Sequence, residues 1–326
     1  MSTKDQLLIY LKEGKGTWVS GEFLANKMAV SRSAVWKHIG SLKEDGYVID
    51  SSRKKGYLLR RTSDLLLPGE IREGLNTSFL GKRGILYFAE TDSTNVRAKY
   101  LASDGVPEGT IVVAERQTHG RGRKGRAWFS PDGGGIYTSV VLRPSIPPYE
   151  APKLTLLASV AVAEALMSLT ALKVSIKWPN DILIKRKKIA GILTEISTEM
   201  DTIDFVIIGV GLNVNIPRKA LPPDIRETAT SILMETGREF PRIALLRAFL
   251  EWLEIYYETF RTRGFGPVLN RWKHLSDIVG RRISVDLIGG SRAGTVLDVD
   301  SDGFLILQNN SGKTERIVSG DITFET

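Results

Sequence analysis

Apolar positions at helical spacing open the chain: Leu7, Leu8 and Leu11 recur between Lys4 and Glu13, and Gly14-Lys15-Gly16 ends the run, which predicts a first helix. Ser20 is a good N-cap for a short second helix carrying Phe23, Leu24 and Met28, and Ser31 opens a third after a turn at Ala29-Val30. Within that third helix Val35, Ile39 and Leu42 share one face, while Arg32, Ser33, Trp36 and Lys37 fall on others. Two helices joined by a few residues, the second opening on small polar and basic groups, suit a helix-turn-helix. Tyr47-Val48-Ile49 and Tyr57-Leu58-Leu59 then read as paired strands around Arg53-Lys54-Lys55-Gly56, adding a wing with a basic tip.

Beyond a connector at Arg60 to Pro68 the pattern changes to strand-like runs between amphipathic helices. Strands are predicted at Ile85 to Ala89, Thr110 to Val113, Ile136 to Leu142, Val174 to Trp178, Asp181 to Ile184, Ile189 to Ile196 and Phe205 to Val214. Pro152 to Leu172 and Ile243 to Arg261 each carry one apolar helical stripe. Short connections between strands favour a mixed or largely antiparallel sheet with helices on one side. After Leu275 come four short strands, Arg282 to Leu287, Gly294 to Val299, Phe304 to Gln308 and Arg316 to Ser319, split by Gly-Gly, Asp-Gly and Asn-Asn-Ser-Gly turns, as in a small SH3-like barrel. The expected fold is therefore α+β in three domains: 1–62 a winged helix-turn-helix, 63–275 a central mixed sheet with helices, and 276–326 the small barrel.

Charge sharpens the first of these. Residues 1–62 hold 12 Lys/Arg against 6 Asp/Glu, within a chain of net charge +8. A local excess of this kind points to a polyanion and argues against the other reading of the segment, a helical interaction module with a solvated charged face. Ser31, Arg32, Ser33, Trp36, Lys37, Arg53, Lys54 and Lys55 are the candidate DNA-binding residues. With no cysteine and three scattered histidines, thiolate nucleophiles, cysteine zinc sites and a Ser-His-Asp triad are poor fits. The first residues lack a signal-peptide apolar core, and no apolar run approaches the roughly 18 residues of a spanning helix, so a cytoplasmic protein without membrane association is expected.

The chemistry concentrates in Glu115 to Pro131, where Gly120, Gly122 and Gly125 alternate with Arg121, Arg123, Lys124 and Arg126. Glycines permit close backbone approach and the cations suit phosphate or carboxylate oxygens, so an anionic ligand is implied. Gly120 to Gly125 fits the dinucleotide fingerprint in spelling only. No helix opens at its glycines, and no acid stands about 20 residues on. Likewise Gly312-Lys313-Thr314 lacks the first glycine of a phosphate-binding loop and reads as a hairpin turn.

The run Gly120-Arg121-Gly122-Arg123-Lys124-Gly125-Arg126-Ala127-Trp128 resembles the adenylate-binding loop of biotin protein ligases. Thr91-Asp92-Ser93-Thr94-Asn95, Lys177-Trp178-Pro179-Asn180-Asp181 and Lys188-Ile189-Ala190-Gly191 are similar to further segments of that family. With the N-terminal region, the whole chain resembles the bifunctional ligases that also repress biotin operons. The resemblance implies a class II synthetase-like central domain that uses ATP and Mg²⁺ to activate biotin. It also implies transfer to a lysine of the biotin carboxyl-carrier domain of acetyl-CoA or pyruvate carboxylase, operator DNA as a second partner, and a homodimer when the adenylate is bound.

Carried over residue by residue, the resemblance makes Lys188, Arg123 and Asp181 the catalytic candidates. It places Ser93, Thr94, Asn95, Gln117, Arg121, Gly122, Arg123, Lys188 and Gly191 around biotin, and Arg121, Arg123, Trp128, Asn180, Lys188 and Asn213 around ATP or the adenylate, with Asp181 a possible Mg²⁺ contact and no protein cage for a metal. From the residues alone, Lys188 reads first as one more solvated cation in the Lys185-Arg186-Lys187-Lys188 hairpin tip, and only the resemblance selects it. Ser93 to Asn95 could be cap residues, and Trp128 could fill core. A repressor without ligase activity and a lipoate or octanoate transferase are the competing functions.

Overall fold

The computed structural model describes residues 3–14, 16–287 and 290–325. Lys15, in the expected stop of the first helix, and Gly289, in the expected Gly-Gly turn, lie outside them. The chain divides into two compact units, Met1–Gly69 and Glu70–Thr326.

In the first unit, helices α1 (Thr3–Glu13), α2 (Gly21–Lys27) and α3 (Arg32–Glu44) precede strands β1 (Val48–Ser52) and β2 (Gly56–Arg61). Ser20 Oγ accepts the Glu22 amide at 3.2 Å and Ser31 Oγ the Ala34 amide at 3.1 Å, so both expected caps close their helices. Leu7, Leu11, Leu24, Val35, Ile39, Leu42 and Ile49 form the core. β1 and β2 pair antiparallel, with Ile49 opposite Leu59 and Ser51 opposite Tyr57, leaving Arg53, Lys54 and Lys55 at the tip.

The second unit begins with a short helix α4 (Pro68–Arg72) that crosses the unit boundary, followed by β3 (Ile85–Thr91), α5 (Thr94–Ser103), β4 (Ile111–Gln117), β5 (Gly135–Leu142) and α6 (Ala151–Leu169). Then come β6 (Ser175–Lys177), β7 (Asp181–Ile184), β8 (Lys187–Glu199), β9 (Thr202–Asn213), α7 (Ile232–Thr236), α8 (Arg242–Arg263) and α9 (Gly266–Leu275). The sheet runs β3-β4-β5-β9-β8-β7-β6, with β3 and β4 parallel and every other neighbour antiparallel. Two expectations need correction. Helices cover both faces of the sheet: consecutive residues Thr194 and Glu195 point oppositely, Thr194 Oγ1 meeting Thr155 of α6 at 2.8 Å and Glu195 Oε2 meeting Asn95 of α5 at 2.7 Å. The helical stretch Pro148–Leu169 is, by length and composition, apolar enough to cross a bilayer, although 72% of its apolar 18-residue window is buried in the fold. A central helix touching β8 on one side and α8 on the other is apolar all round because it is packed all round.

The C-terminal strands β10 (Arg282–Leu287), β11 (Gly290–Val299), β12 (Leu305–Gln308), β13 (Thr314–Ile317) and β14 (Asp321–Phe324) form one antiparallel sheet in the order β13-β12-β11-β10-β14. β14 has no counterpart among the four strands expected from turn spacing. This sheet is fastened to the central one: Trp178 Nε1 donates to the Gly303 carbonyl at 3.0 Å, and Lys153 Nζ pairs with Asp302 at 3.1 Å.

Candidate functional site

One cavity of the second unit is lined by Ser93, Thr94, Asn95, Gln117, Arg121, Gly122, Arg123, Trp128, Asn180, Asp181, Lys188, Gly191 and Asn213, every small-molecule candidate read from the sequence. They arrive from the start of α5, the end of β4, the basic loop, the β6–β7 turn and the middle strands. β8 and β9 turn Gly191 and Gly211 into the cavity opposite each other. The indole of Trp128 lies against both: a Cβ at 211 would stand 2.4 Å from it and a Cβ at 191 would stand 3.0 Å away. Among the described residues its buried Nε1 has no hydrogen-bond partner.

The polar end is built by α5 and its neighbours. Ser93 occupies the N-cap position of α5, yet its side chain makes no capping hydrogen bond. Gln117 Oε1 accepts the Thr94 amide at 2.8 Å instead, and Gln117 Nε2 donates to Ser130 Oγ at 2.8 Å. Asn95, 4% exposed, donates to Glu195 and accepts from Ser139 Oγ at 2.6 Å.

At the other end Lys188 lies inside β8, not in the hairpin tip, which holds Lys185 and Arg186 in left-handed backbone. The segment 228–230 clamps it: the Lys188 amide donates to the Thr228 carbonyl at 2.8 Å, and the Thr230 amide to the Lys188 carbonyl at 2.9 Å. Its ammonium is 2.7 Å from Asp181 Oδ1 and 5.2 Å from the centre of the Trp128 ring. Burial, reinforced by the Lys188 charge although opposed by Asp181, lowers the Lys177 ammonium below its ordinary value. Asn213 Nδ2 donates to the Thr230 carbonyl at 3.0 Å.

The basic loop folds back on itself as a small hairpin, with Trp128 N donating to the Gly120 carbonyl at 2.8 Å, Gly122 N to the Arg126 carbonyl at 2.7 Å, and Arg121 bridged to Ala127. No helix follows it beyond a single turn at Arg123–Gly125. Arg123 Nη1 donates to Asn180 Oδ1 at 3.1 Å and to the Gly320 carbonyl at 3.2 Å. Lys124, with left-handed φ of 55°, reaches the Asp286 carbonyl at 3.1 Å. One carboxylate, Asp321, pairs with Arg123, Lys124 and Arg126. Burial tends to raise its pKa, but the Lys124 hydrogen bond and the Arg123 and Arg126 charges outweigh that and hold it below the usual carboxylate range.

In the first unit, Ser31, Arg32, Ser33, Trp36 and Lys37 are exposed on α3, and Arg53, Lys54 and Lys55 on the wing, with Trp36 69% exposed. None of these residues lines the cavity.

Models of known families match three segments: an HTH domain at 3–58, the biotin/lipoate A/B protein ligase family at 87–213, and the biotin protein ligase C-terminal domain at 278–324. The bifunctional ligase/repressor BirA of Bacillus subtilis is 38% identical over 98% of this chain and 97% of its own. The chain belongs to the bifunctional biotin ligase/repressor family. BirA of Escherichia coli is 31% identical over 95% of this chain and 94% of its own. The Aquifex aeolicus biotin protein ligase, solved with biotin and ATP, superposes with a TM-score of 0.64 at 30% identity, covering 74% of this chain and 99% of that one.

Within this ligase/repressor chain, sequence reasoning passed over Ser130, Ser139, Glu195, the 228–230 clamp and Asp321. Ser139 and Glu195 lie in ordinary strand text. Asp321 is 198 positions from the arginine it touches, so no local pattern could have found it.

Proposed function

We propose that the cavity activates biotin with ATP to biotinyl-5'-AMP and then transfers biotin to a lysine of a carboxylase carrier domain. The observation that carries this reading is the arrangement of opposite chemistries along one cavity. Neutral amides and hydroxyls at α5 suit biotin's cyclic urea, while Lys188 and Arg123 flank the end where a carboxylate would meet a phosphate. The biotin carboxylate oxygen attacks the α-phosphorus and pyrophosphate leaves. The acceptor amine then attacks the acyl carbon, loses a proton and expels AMP. Lys188 and Arg123 stabilise negative charge on the phosphoryl oxygens, and the loop keeps the mixed anhydride from water. Trp128, with its unsatisfied Nε1, stacks on or donates to the adenylate, and Asn213 borders the adenine.

A single carboxylate beside phosphate oxygens is a usual way to bind Mg²⁺, and Asp181 supplies one. Mg²⁺ carried in with ATP would be held there by Asp181 and would neutralise phosphate charge.

Incubation of the full chain with ATP, biotin and a carrier domain, followed by mass spectrometry of the acceptor, tests the reading. One biotinylated lysine is expected, and an unmodified acceptor would refute it. We further propose that 1–62 binds operator DNA through α3 and the wing, and that the adenylate is the corepressor of biotin-synthesis genes. On this reading the protein acts in the cytoplasm as a ligand-dependent homodimer, because one helix-turn-helix covers one half-site.

A further inference from the structure

The polar end of the cavity is wired in one direction. The Asn95 amide nitrogen donates to Glu195 Oε2 at 2.7 Å and to the Leu193 carbonyl at 3.3 Å, which uses both of its protons. Its oxygen accepts from Ser139 Oγ at 2.6 Å, the shorter of the two contacts of that hydroxyl, whose other neighbour is Thr94 Oγ1 at 2.8 Å. Turning the amide over would set its oxygen against the Glu195 carboxylate and the Leu193 carbonyl, three acceptors with no proton among them. The opposite strand is shaped for this: a Cβ at Gly209 would stand 1.9 Å from Asn95 Oδ1, so only glycine lets the amide lie against β9. Next along, Gln117 spends one Nε2 proton on Ser130 Oγ and has its oxygen occupied by the Thr94 amide, which leaves it a second N–H.

We infer that Glu195 is a positioning residue for biotin: with Ser139 it holds the Asn95 amide so that the cavity meets an acceptor oxygen at Asn95 and a donor N–H at Gln117. Glu195 acts through Asn95 and touches no reacting atom. The head group selected is one with N–H and C=O side by side, as in a cyclic urea. A fatty acyl or dithiolane ligand leaves both cavity groups unpaired, which polar sites penalise heavily. The inference rests on the biotin reading above.

Biotin-dependent ATP–pyrophosphate exchange by the full chain separates the two. Absence of exchange in the unaltered protein removes the biotin reading and this inference with it. With exchange present, Glu195→Met, similar in length but unable to accept strongly, is expected to raise the biotin KM about tenfold, while kcat and the ATP KM stay within about twofold. Glu195→Gln, whose amide oxygen still accepts, restores the biotin KM. Ser139→Ala deletes one hydroxyl from the same chain of bonds and is expected to raise the biotin KM about threefold; it decides the matter if the methionine variant does not fold. Unchanged biotin KM in the variants that fold, equal losses in the Met and Gln variants, or a matching rise in the ATP KM would overturn the assignment.

Discussion

Arg123 of the basic loop and Asp321 of the last strand meet at 3.3 Å, Nη1 to Oδ1, across 198 positions of sequence. Lys124 and Arg126 converge on the same carboxylate, so all three ion pairs between the loop and the C-terminal sheet meet at one residue, beside two hydrogen bonds to the Gly320 and Asp286 carbonyls. Asp321→Ala should loosen the loop, leaving it the hydrogen bonds to Asn180 and to the Gly320 and Asp286 carbonyls. Partly exposed pairs are individually weak, so trypsin should cut the ligand-free variant at Arg121 to Arg126 about two to five times faster than the unaltered protein. Equal cleavage rates would show that other contacts hold the loop.

The same carboxylate sets a pH dependence. Its folded pKa is depressed, so its contribution is complete above the unfolded value of about 4 and disappears as pH falls through the lower folded value. Hydrogen-exchange protection of the loop should therefore persist from neutral pH to about 4 and fail only below it. Loss of protection by pH 6 would contradict this assignment.

Arg123 also donates to Asn180 at 3.1 Å, so its removal loosens the loop from two sides. Arg123→Gly should form the adenylate but release it early. Indiscriminate labelling of lysines on a bystander protein is the expected readout, and labelling confined to the carrier domain would count against a retaining role.

Gly211 faces the Trp128 indole, with room for no Cβ. Gly211→Ala should push the ring aside and raise the ATP KM about tenfold while the protein stays folded, on the scale of an overpacked contact. An unaltered ATP KM would place Trp128 outside nucleotide binding.

A fragment beginning at Ser63 should still ligate biotin, because every cavity residue lies beyond it. The full chain should bind operator DNA as a dimer more tightly with biotin and ATP present. Arg32, Lys37, Arg53, Lys54 and Lys55, if all contact phosphates, give a salt slope of about −4 to −5 per protomer. Sedimentation and operator titrations with and without ligands check both points, and identical behaviour in the two conditions would remove the corepressor role.

Much of this organisation was legible locally. Ser20 and Ser31 announce their helices because capping is a short-range hydrogen bond, and β5 and β9 are plain in their apolar runs. α5 was missed because Thr94, Asn95 and Ala98 pack a polar and small-residue face against the sheet, without an apolar stripe. That choice also hid the placement of helices on both sheet faces. The buried Glu115–Arg242 pair, 2.7 Å apart, and the Asp321 cluster depend on chain segments far apart in sequence, so they become visible only once the sheet is assembled.

The central claim is that Lys188, clamped inside β8 beside Asp181, supports formation of an adenylate from biotin. Pyrophosphate exchange into ATP, measured for the unaltered protein and for Lys188→Ala at matched thermal midpoints, tests it most directly. Exchange should require biotin, fail with lipoate or octanoate, and fall by roughly 10²-fold or more in the variant. Exchange that proceeds equally well with lipoate, or at the unaltered rate in Lys188→Ala, would contradict the account.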